Sequence, residues 1–347
     1  MKTAAGIGIF LVFGLLAAYL IGFQPDIRGE FPYDEEYTGL KDRIVIKFSH
    51  VVAENTPKGL AAAHFAQLVK EKSQDRVEVQ VFPNGMLYTE DTEIAALQHD
   101  DVQMIAPSFS NMNRIDPIWL VMDLPFLFRN QQEVDLALQG ALGERLLATL
   151  EPQGMKGAAF WHNGFRQVTN NVRPMRMPED FRGLTFRIQP SPVLKRQFEA
   201  LNASTMSTPF NEIYRSLKTG RVDGQENTIS NILSKRLYQV QRYMTISNHS
   251  YLGYIVTFNK QFWEGLPPEV QQLLEEALAE TSDWNNREAL LHEKRLQTLS
   301  QNQLLEIRTL TDAEKALWRE RFEPLYEEFT AIIGKDLMKE FPLTKKY

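Results

Sequence analysis

The segment IVIKFSHVVAENTPKG, residues 44–59, contains the pattern on which the fold prediction depends. Its first part, 44–50, is a short run rich in β-branched residues and predicts a strand. Thr56 and Pro57 then mark a helix start, because threonine caps helix N-termini and proline suits the first turn. After this helix, the run RVEVQVF (76–82) alternates valine with polar residues, which predicts a half-buried strand.

The alternation of strand and helix continues along the chain. We predict a helix near 90–99, a strand at 102–107, a helix near 131–150, strands at 157–162 and 184–189, and helices at 192–201 and 210–219. Such alternation indicates βαβ units and a largely parallel sheet. The elements form two α/β sets of similar size, so we predict two lobes with a cleft between them.

A long helical segment follows these two sets. Pro267 and Pro268 open a stretch without internal Gly or Pro that runs to about Asn302. At 1.5 Å per residue, one helix of this length would measure about 50 Å, more than one small lobe. Either a single helix spans both lobes, or the segment breaks near 283–286 into two helices.

Composition excludes several classes of protein. The 347 residues are 43% hydrophobic and 24% charged, with a formal net charge of −6 and no cysteine. The absence of cysteine excludes disulfides, thiolate metal sites and thiol nucleophiles. The acidic balance argues against a nucleic-acid-binding protein, which usually carries a net basic face.

The N-terminus has a different character from the rest. Residues 4–23 contain no charged side chain, and a run of about 20 apolar residues matches a membrane span better than the shorter core of a secretory signal. We therefore predict that residues 1–25 are a signal peptide or an N-terminal membrane anchor and that 26–42 form a tether. In both cases the remaining chain is exported, with Lys2 on the cytoplasmic side.

Sequence motifs for catalysis are absent. The six histidines show no H-E-x-x-H spacing, and no G-x-S-x-G elbow or phosphate-binding loop occurs. We therefore predict no metal site, no cofactor and no enzymatic activity.

Two arginines lie where the predicted strands should be buried. Arg187 lies between Phe186 and Ile188 at the end of a strand, and Arg166 follows the turn in WHNGFRQ (161–167). Ligands of open α/β sheets bind at the carboxyl ends of strands, and a buried guanidinium needs a carboxylate partner. From the residues alone, that partner is either a ligand or an internal acid.

Several segments together carry a family resemblance. They are FSHVVAENTPKG (48–59), WHNGFRQ (161–167), MPEDFRGLTFRIQ (177–189), PFNEIYRSLKTGRVDGQEN (209–227) and SNHSYLGY (247–254). In this combination the chain, from about 43 to 340, resembles the solute-binding subunit of TRAP transporters, the DctP family. Within that family it is most similar to the branch that binds C4-dicarboxylates such as malate, succinate and fumarate.

The resemblance implies an α/β, two-lobe periplasmic-binding-protein-like fold with a ligand cleft and one long helix bridging both lobes. Lobe I would comprise 43–163 plus 252–292, and lobe II 164–251 plus 293–340. It also implies a periplasmic location and integral-membrane TRAP subunits as partners. Most family members are released from a cleaved signal, and the long N-terminal segment departs from this pattern because, if retained, it would tether the protein to the inner membrane.

The resemblance also implies roles for individual residues. Arg187 is expected to pair with a substrate carboxylate, Arg166 to be a second cleft arginine, Asn227 to hydrogen-bond a carboxylate and Phe210 to pack beside the ligand. The sequence Gln189-Pro190-Ser191-Pro192 after Arg187 departs from the family pattern and weakens any prediction of the preferred diacid.

The far end of a diacid needs a second cation. Lys58 is the candidate, because its ammonium and the N–H groups of the helix start both favour an anion. The other predicted cleft residues are His50, Ser108, Trp161, Asn163 and Tyr251. Three alternatives remain open: binding of a 2-oxo, aromatic or sialic acid, a membrane-anchored organic-acid sensor, and an exported enzyme.

Overall fold

The computed structural model describes Tyr19 and residues 43–299, 305–339 and 341, without the side chains of 292–299. From Val45 onward the chain forms one compact unit. The predicted membrane segment, 4–23, lies outside the described residues apart from Tyr19, and the whole predicted tether, 26–42, lies outside them as well. None of the helices that are described is both long and apolar enough to cross a membrane.

The described part of the chain contains ten strands. They are β1 (Ile44–Ser49), β2 (Val77–Phe82), β3 (Met104–Ile105), β4 (Met155–Asn170), β5 (Thr185–Ile188), β6 (Ser204–Ser207), β7 (Gly224–Thr228), β8 (Tyr243–Ile246), β9 (Tyr251–Asn259) and β10 (Glu306–Thr309). The predicted strand at 102–107 is shorter than expected, and the predicted strand at 157–162 is part of the much longer β4.

Eleven α-helices are described. They are α1 (Pro57–Ser73), α2 (Glu93–Gln98), α3 (Gln131–Gln139), α4 (Ala141–Ala148), α5 (Pro192–Ala200), α6 (Ile213–Lys218), α7 (Ile229–Ser234), α8 (Lys260–Gly265), α9 (Pro268–Leu299), α10 (Asp312–Ile333) and α11 (Lys335–Met338). Short 3-10 helices cover Phe109–Arg114, Pro117–Asp123, Glu151–Gln153, Pro178–Phe181, Phe210–Glu212 and Leu237–Gln239.

Local sequence explains the helix boundaries. The Thr56 side chain caps α1 by accepting a hydrogen bond of 3.1 Å from the Gly59 N–H, as predicted. The helix predicted over 131–150 is divided at Gly140, whose backbone is extended. The two helices then approach so closely that a Cβ on Gly143 would lie 1.8 Å from the Leu138 oxygen.

The sheet is mixed, so the prediction of a largely parallel sheet is wrong. Parallel pairing joins β1 to β3, β5 to β6 and β7, and β8 to β10. The strands β4 and β9 run antiparallel to each other and to their other partners, β7 and β8 for β4 and β3 for β9. Helix–strand alternation constrains consecutive elements only, and β4 and β9 meet from distant parts of the chain.

The strand β4 connects two sets of strands. Its first part, up to Phe165, pairs with β9, which in turn pairs with β3. From Arg166 onward it pairs with β7, and from Val168 with β8. The exchange occurs beside a register shift between His162 and Gly164, where Gly164 has a φ of 124° that favours glycine. The strand β4 therefore brings the two sets of strands together near Gly164, where its pairing changes from β9 to β7 and β8.

The segment after Pro267 is one helix, α9, rather than two. It packs against α1, β4 and α7. Trp284 stacks on His64 of α1 with ring centroids 4.8 Å apart, and Ser282 accepts a 3.0 Å hydrogen bond from the Trp161 indole of β4. The sequence around 283–286 therefore forms contacts along an unbroken helix.

Candidate functional site

A narrow cavity lies between the two sets of strands. Its lining consists of Val51, Val52, Glu90, Ser108, Gln189, Phe210, Asn227, Asn231, Leu252 and Tyr254. Three of the predicted site residues, Ser108, Phe210 and Asn227, are in this lining. Residues more than 170 positions apart in the chain thus converge on one small space.

Arg187 of β5 lies fully buried beside this cavity. Its Nε and Nη2 atoms donate to the main-chain oxygen of Thr208 at 2.9 and 2.6 Å, and Nη2 lies 3.5 Å from Oε2 of Glu90. The Nη1 atom is buried and has no hydrogen-bond partner among the described residues. Burial lowers the pKa of Arg187, and the nearby Glu90 partly opposes this effect. The guanidinium thus keeps donor capacity toward an additional acceptor.

Arg166 of β4 is also fully buried, but its charge has an internal partner. Its Nη1 atom donates to both carboxylate oxygens of Glu226, at 2.9 and 2.8 Å. Its Nη2 atom donates to Ser110 and to Gln189, which lines the cavity. Burial raises the pKa of the Glu226 carboxyl group above its usual value, and the nearby Arg166 charge opposes this rise only in part. The contact of Arg166 with the cavity therefore runs through Gln189.

Lys58 of α1 is a buried cation. Its Nζ donates to the main-chain oxygen of Ala106 at 2.8 Å and lies 3.7 Å from the ring centroid of Tyr254, a lining residue. Within the part of the chain that is described, no carboxylate lies within 4.0 Å of this ammonium. Burial lowers the pKa of Lys58 to about 8, although Glu93 and Glu90 act in the opposite direction.

Glu93, in the first turn of α2, is the acid whose charge has the largest effect on the pKa of Lys58. Its side chain is fully buried, and neither carboxyl oxygen has a donor among the residues described. Burial raises the pKa of Glu93 to about 8, with Lys58 lowering it. Burial thus favours the protonated form of Glu93, which reduces the negative charge that it presents to Lys58.

Glu90 lies three residues earlier and contacts the other side of the cavity. Its carboxylate accepts hydrogen bonds from the Phe210 main-chain N–H at 3.2 Å and from the Gln189 side chain, in addition to the Arg187 contact. Only 3% of its surface is exposed. Of the three donors, Arg187 lies on β5, Gln189 directly follows β5, and Phe210 follows β6.

Asn227, at the end of β7, is held by its neighbours. Its Oδ1 atom accepts from the Thr228 N–H at 3.0 Å and from Asn231 at 2.8 Å. Its Nδ2 group meets no acceptor among the described residues. Asn163 donates to the Tyr254 hydroxyl at 2.9 Å and so supports a cavity wall rather than forming one.

The remaining predicted residues lie outside the lining. His50 is buried with both ring nitrogens lacking partners among the described residues, and burial lowers its pKa to about 3, so it is neutral. Trp161 packs against Phe48 and binds α9 through Ser282. Tyr251 hydrogen-bonds with His162 and Gln131 at the start of β9, where β4 exchanges partners.

Several lining residues had no prediction from the sequence. Gln189 could have been found, because it follows Arg187 by two positions and side chains alternate along an extended chain. Asn231 could have been found as the helical continuation of Asn227, and Tyr254 by its alternation with Leu252. Glu90 was not predicted because the sequence placed it in a helix near 90–99, whereas in the structure α2 begins at Glu93 and Glu90 precedes it.

Comparison with known proteins identifies the family. Residues 48–332 match the model of DctP, the bacterial extracellular solute-binding protein family 7. The C4-dicarboxylate-binding protein DctB of Bacillus subtilis is 43% identical over 342 residues, which cover 98% of each chain.

Solved structures show the same similarity. A TRAP periplasmic solute-binding protein from Shewanella oneidensis with bound succinate is 39% identical, with a TM-score of 0.84 over 86% of this chain and 97% of that one. A second, from Pseudomonas aeruginosa with bound L-malate, is 35% identical, with a TM-score of 0.79 over 82% and 99% of the two chains.

These similarities confirm the periplasmic-binding-protein-like fold expected from the motifs. The match to the family model covers most of the chain, and it includes every residue that lines the cavity. The chain therefore belongs to the DctP family of bacterial extracellular solute-binding proteins, the binding subunits of TRAP transporters.

Proposed function

We propose that this protein captures C4-dicarboxylates outside the cytoplasmic membrane and delivers them to the integral-membrane subunits of a TRAP transporter. The observation that carries the proposal is Arg187, whose orientation is fixed by the Thr208 oxygen while its buried Nη1 lacks a partner among the described residues. The unpartnered Nη1 group can donate to a carboxylate oxygen, and a hydrogen bond between two charged groups is stronger than one between neutral groups. Arg187 would therefore hold one carboxylate of the ligand.

Lys58 would hold the second carboxylate. Its ammonium uses one of three N–H donors on Ala106 and faces the Tyr254 ring at the cavity wall. With Glu93 protonated, the ammonium charge remains available to an anion. The relatives that contain succinate and L-malate support a spacing of two carbon atoms between the two carboxylates.

The proposal is tested by calorimetry with succinate, malate, fumarate and the monocarboxylate butyrate. We expect all three diacids to bind and butyrate to bind much more weakly, because it would leave the Lys58 charge buried without a partner. Equal affinity for succinate and butyrate would contradict Lys58 as the second anchor. A thermal-shift screen with 2-oxo, aromatic and sialic acids tests the other ligand classes, since bound ligand stabilises the fold by mass action.

We also propose two lobes that close around the ligand, with their boundary where β4 exchanges partners near Gly164 and β9 begins at Tyr251. Binding without chemical change is expected, so chromatography after incubation with each diacid should recover the diacid unaltered. Appearance of a product would favour an exported enzyme instead.

The N-terminal anchor also remains a proposal. The Bacillus subtilis relative aligns over 98% of this chain, so the similarity includes most of the segment before residue 43. Mass spectrometry of the protein recovered from membranes should show an intact N-terminus if residues 1–25 are retained. A shortened protein in the soluble extracellular or periplasmic fraction would show that the segment is a cleaved signal.

A further inference from the structure

Glu90 joins the two sets of strands across the cavity. It lies between β2 and α2, and α2 packs against β3 and β9 of the first set. Its partners Arg187, Gln189 and Phe210 lie on β5, directly after it, and directly after β6. The contacts therefore connect segments 97 to 120 residues apart in the chain.

The three donors are aimed at one carboxylate. The Phe210 N–H and Arg187 Nη2 both meet Oε2, while Gln189 meets Oε1 and also donates to Ser108 at 2.9 Å. Hydrogen bonds to an ionised acceptor are stronger than those between neutral groups, and buried ones are shielded from water. If the two sets of strands moved apart, all three donors would lose this acceptor together.

Glu90 shares Arg187 with the proposed ligand without using the whole guanidinium. The carboxylate of Glu90 contacts Nη2, whereas the buried Nη1 has no partner among the described residues. A ligand carboxylate can therefore bind Nη1 while Glu90 stays in place. This arrangement lets ligand binding and closure stabilise the same position of Arg187.

We infer that Glu90 is a positioning residue that holds the closed site around the bound diacid. The inference rests on the function proposed above. A ligand leaves only when the site opens, so the loss of this contact increases the dissociation rate. Association occurs through the open site, in which Glu90 is separated from its three partners, so the association rate is unaffected.

The test uses Glu90→Gln, which keeps the size of the side chain and removes its charge. The glutamine side chain would also place an NH2 group, a donor, where one of the Glu90 oxygens accepts hydrogen bonds from N–H donors. With succinate as the probe in stopped-flow and calorimetric measurements, we expect dissociation to accelerate about tenfold and association to change by less than about twofold. Small-angle scattering of the succinate-saturated variant should show a larger open fraction than the wild type.

The matched control is Asp91→Asn, the adjacent acid. Asp91 is exposed and pairs with Arg114 at 2.6 Å, in the 3-10 helix that follows β3, and its hydrogen bonds to side chains among the described residues come from Arg114. Of the charges that affect the pKa of Arg187, that of Asp91 has the smallest effect. We expect wild-type dissociation from this variant. Melting curves of both unliganded variants verify that they are folded, and Glu90→Asp provides a charged but shorter alternative that should also dissociate faster.

Two results would overturn the inference. Tighter succinate binding by Glu90→Gln would show that Glu90 competes with the ligand for Arg187. Unchanged dissociation in both Glu90 variants would show that the contact does not hold the site closed. Absence of succinate, malate and fumarate binding by the wild-type protein would instead contradict the proposed function, so the two failures are distinguishable.

Discussion

The main-chain oxygen of Thr208 accepts two hydrogen bonds from Arg187, 2.9 Å from Nε and 2.6 Å from Nη2. A carbonyl oxygen carries no net charge, so it orients the guanidinium without neutralising it. The contact also fixes which edge of the guanidinium remains for other acceptors. An internal acid, Glu90, lies at 3.5 Å from one nitrogen, and it lines the cavity rather than drawing Arg187 away from it.

Replacing Arg187 with lysine tests the geometry of this anchor. Lysine keeps the positive charge, but its ammonium cannot reproduce the planar set of donors with which Arg187 contacts Thr208 and leaves Nη1 for a carboxylate. We expect succinate binding to weaken by about 2–5 kcal/mol in calorimetry. Arg196→Lys is the control, because Arg196 is a surface residue paired with Glu328. The protein with this substitution should bind succinate normally. Normal binding by Arg187→Lys would remove Arg187 from the site.

The Arg166–Glu226 pair is expected to contribute to stability. Both side chains are completely buried and form two short hydrogen bonds. Glu226→Gln leaves the Arg166 charge buried without its main partner, which should reduce the free energy of unfolding by about 3–5 kcal/mol in urea denaturation.

The exposed pair of Glu179 and Arg321, at 2.9 Å, offers a comparison. Glu179→Gln should change stability by less than about 1 kcal/mol, because solvent screens exposed ion pairs. Equal effects of the two substitutions would show that burial does not determine the contribution of the Arg166 pair.

Lys58 should make ligand binding depend on pH. Its pKa in the unliganded protein is about 8, and a bound carboxylate raises it, so binding takes up a proton above pH 8. We expect the succinate association constant to be constant below pH 8 and to fall about tenfold per pH unit above it. Calorimetry between pH 6 and pH 10 measures this profile.

Two variants separate the contributions to that profile. Lys58→Met should bind succinate weakly. Glu93→Gln should retain the fall of binding with pH but begin it at a lower pH, because the Glu93 charge raises the pKa of Lys58. Lys70→Met, an exposed change on the same helix, should resemble the wild type. An unaltered pH profile in Lys58→Met would assign the titration to another group.

Glu93 should make the stability of the unliganded protein depend on pH. The pKa of its carboxyl is about 8 in the fold, against 4.5 ordinarily. Between these two pH values the folded protein retains a proton that the unfolded chain releases, so stability falls as pH rises from about 5 to 8.

Glu93→Gln removes this titration. We expect it to match the wild type near pH 5 and to be more stable by about 1–3 kcal/mol at pH 8, measured by urea denaturation. Glu71→Gln, on the exposed face of α1, should show no such difference between the two pH values. A constant difference between Glu93→Gln and the wild type at both pH values would contradict the raised pKa.

The sequence predicted local elements well because their signals lie within a few residues. Thr56 and Pro57 define the start of α1, and the alternation of valines defines β2. The division at Gly140 was missed, because a glycine inside a periodic helix pattern does not show whether the backbone continues. The antiparallel pairing of β4 with β9 was also missed, since no local pattern reports which distant strands meet.

For the site, the family motifs predicted Arg187, Arg166, Asn227 and Phe210, because residue types and their spacing can be read directly from the sequence. The sequence by itself thus determined the family, the strand that carries Arg187 and the start of α1 that carries Lys58. Only the tertiary structure decided which charges are already paired: Glu226 with Arg166, Glu90 with Arg187, and a protonated Glu93 near Lys58. The physical reason is that pairing and burial depend on distances between segments about 35 to 100 residues apart, which the order of residues along the chain does not specify.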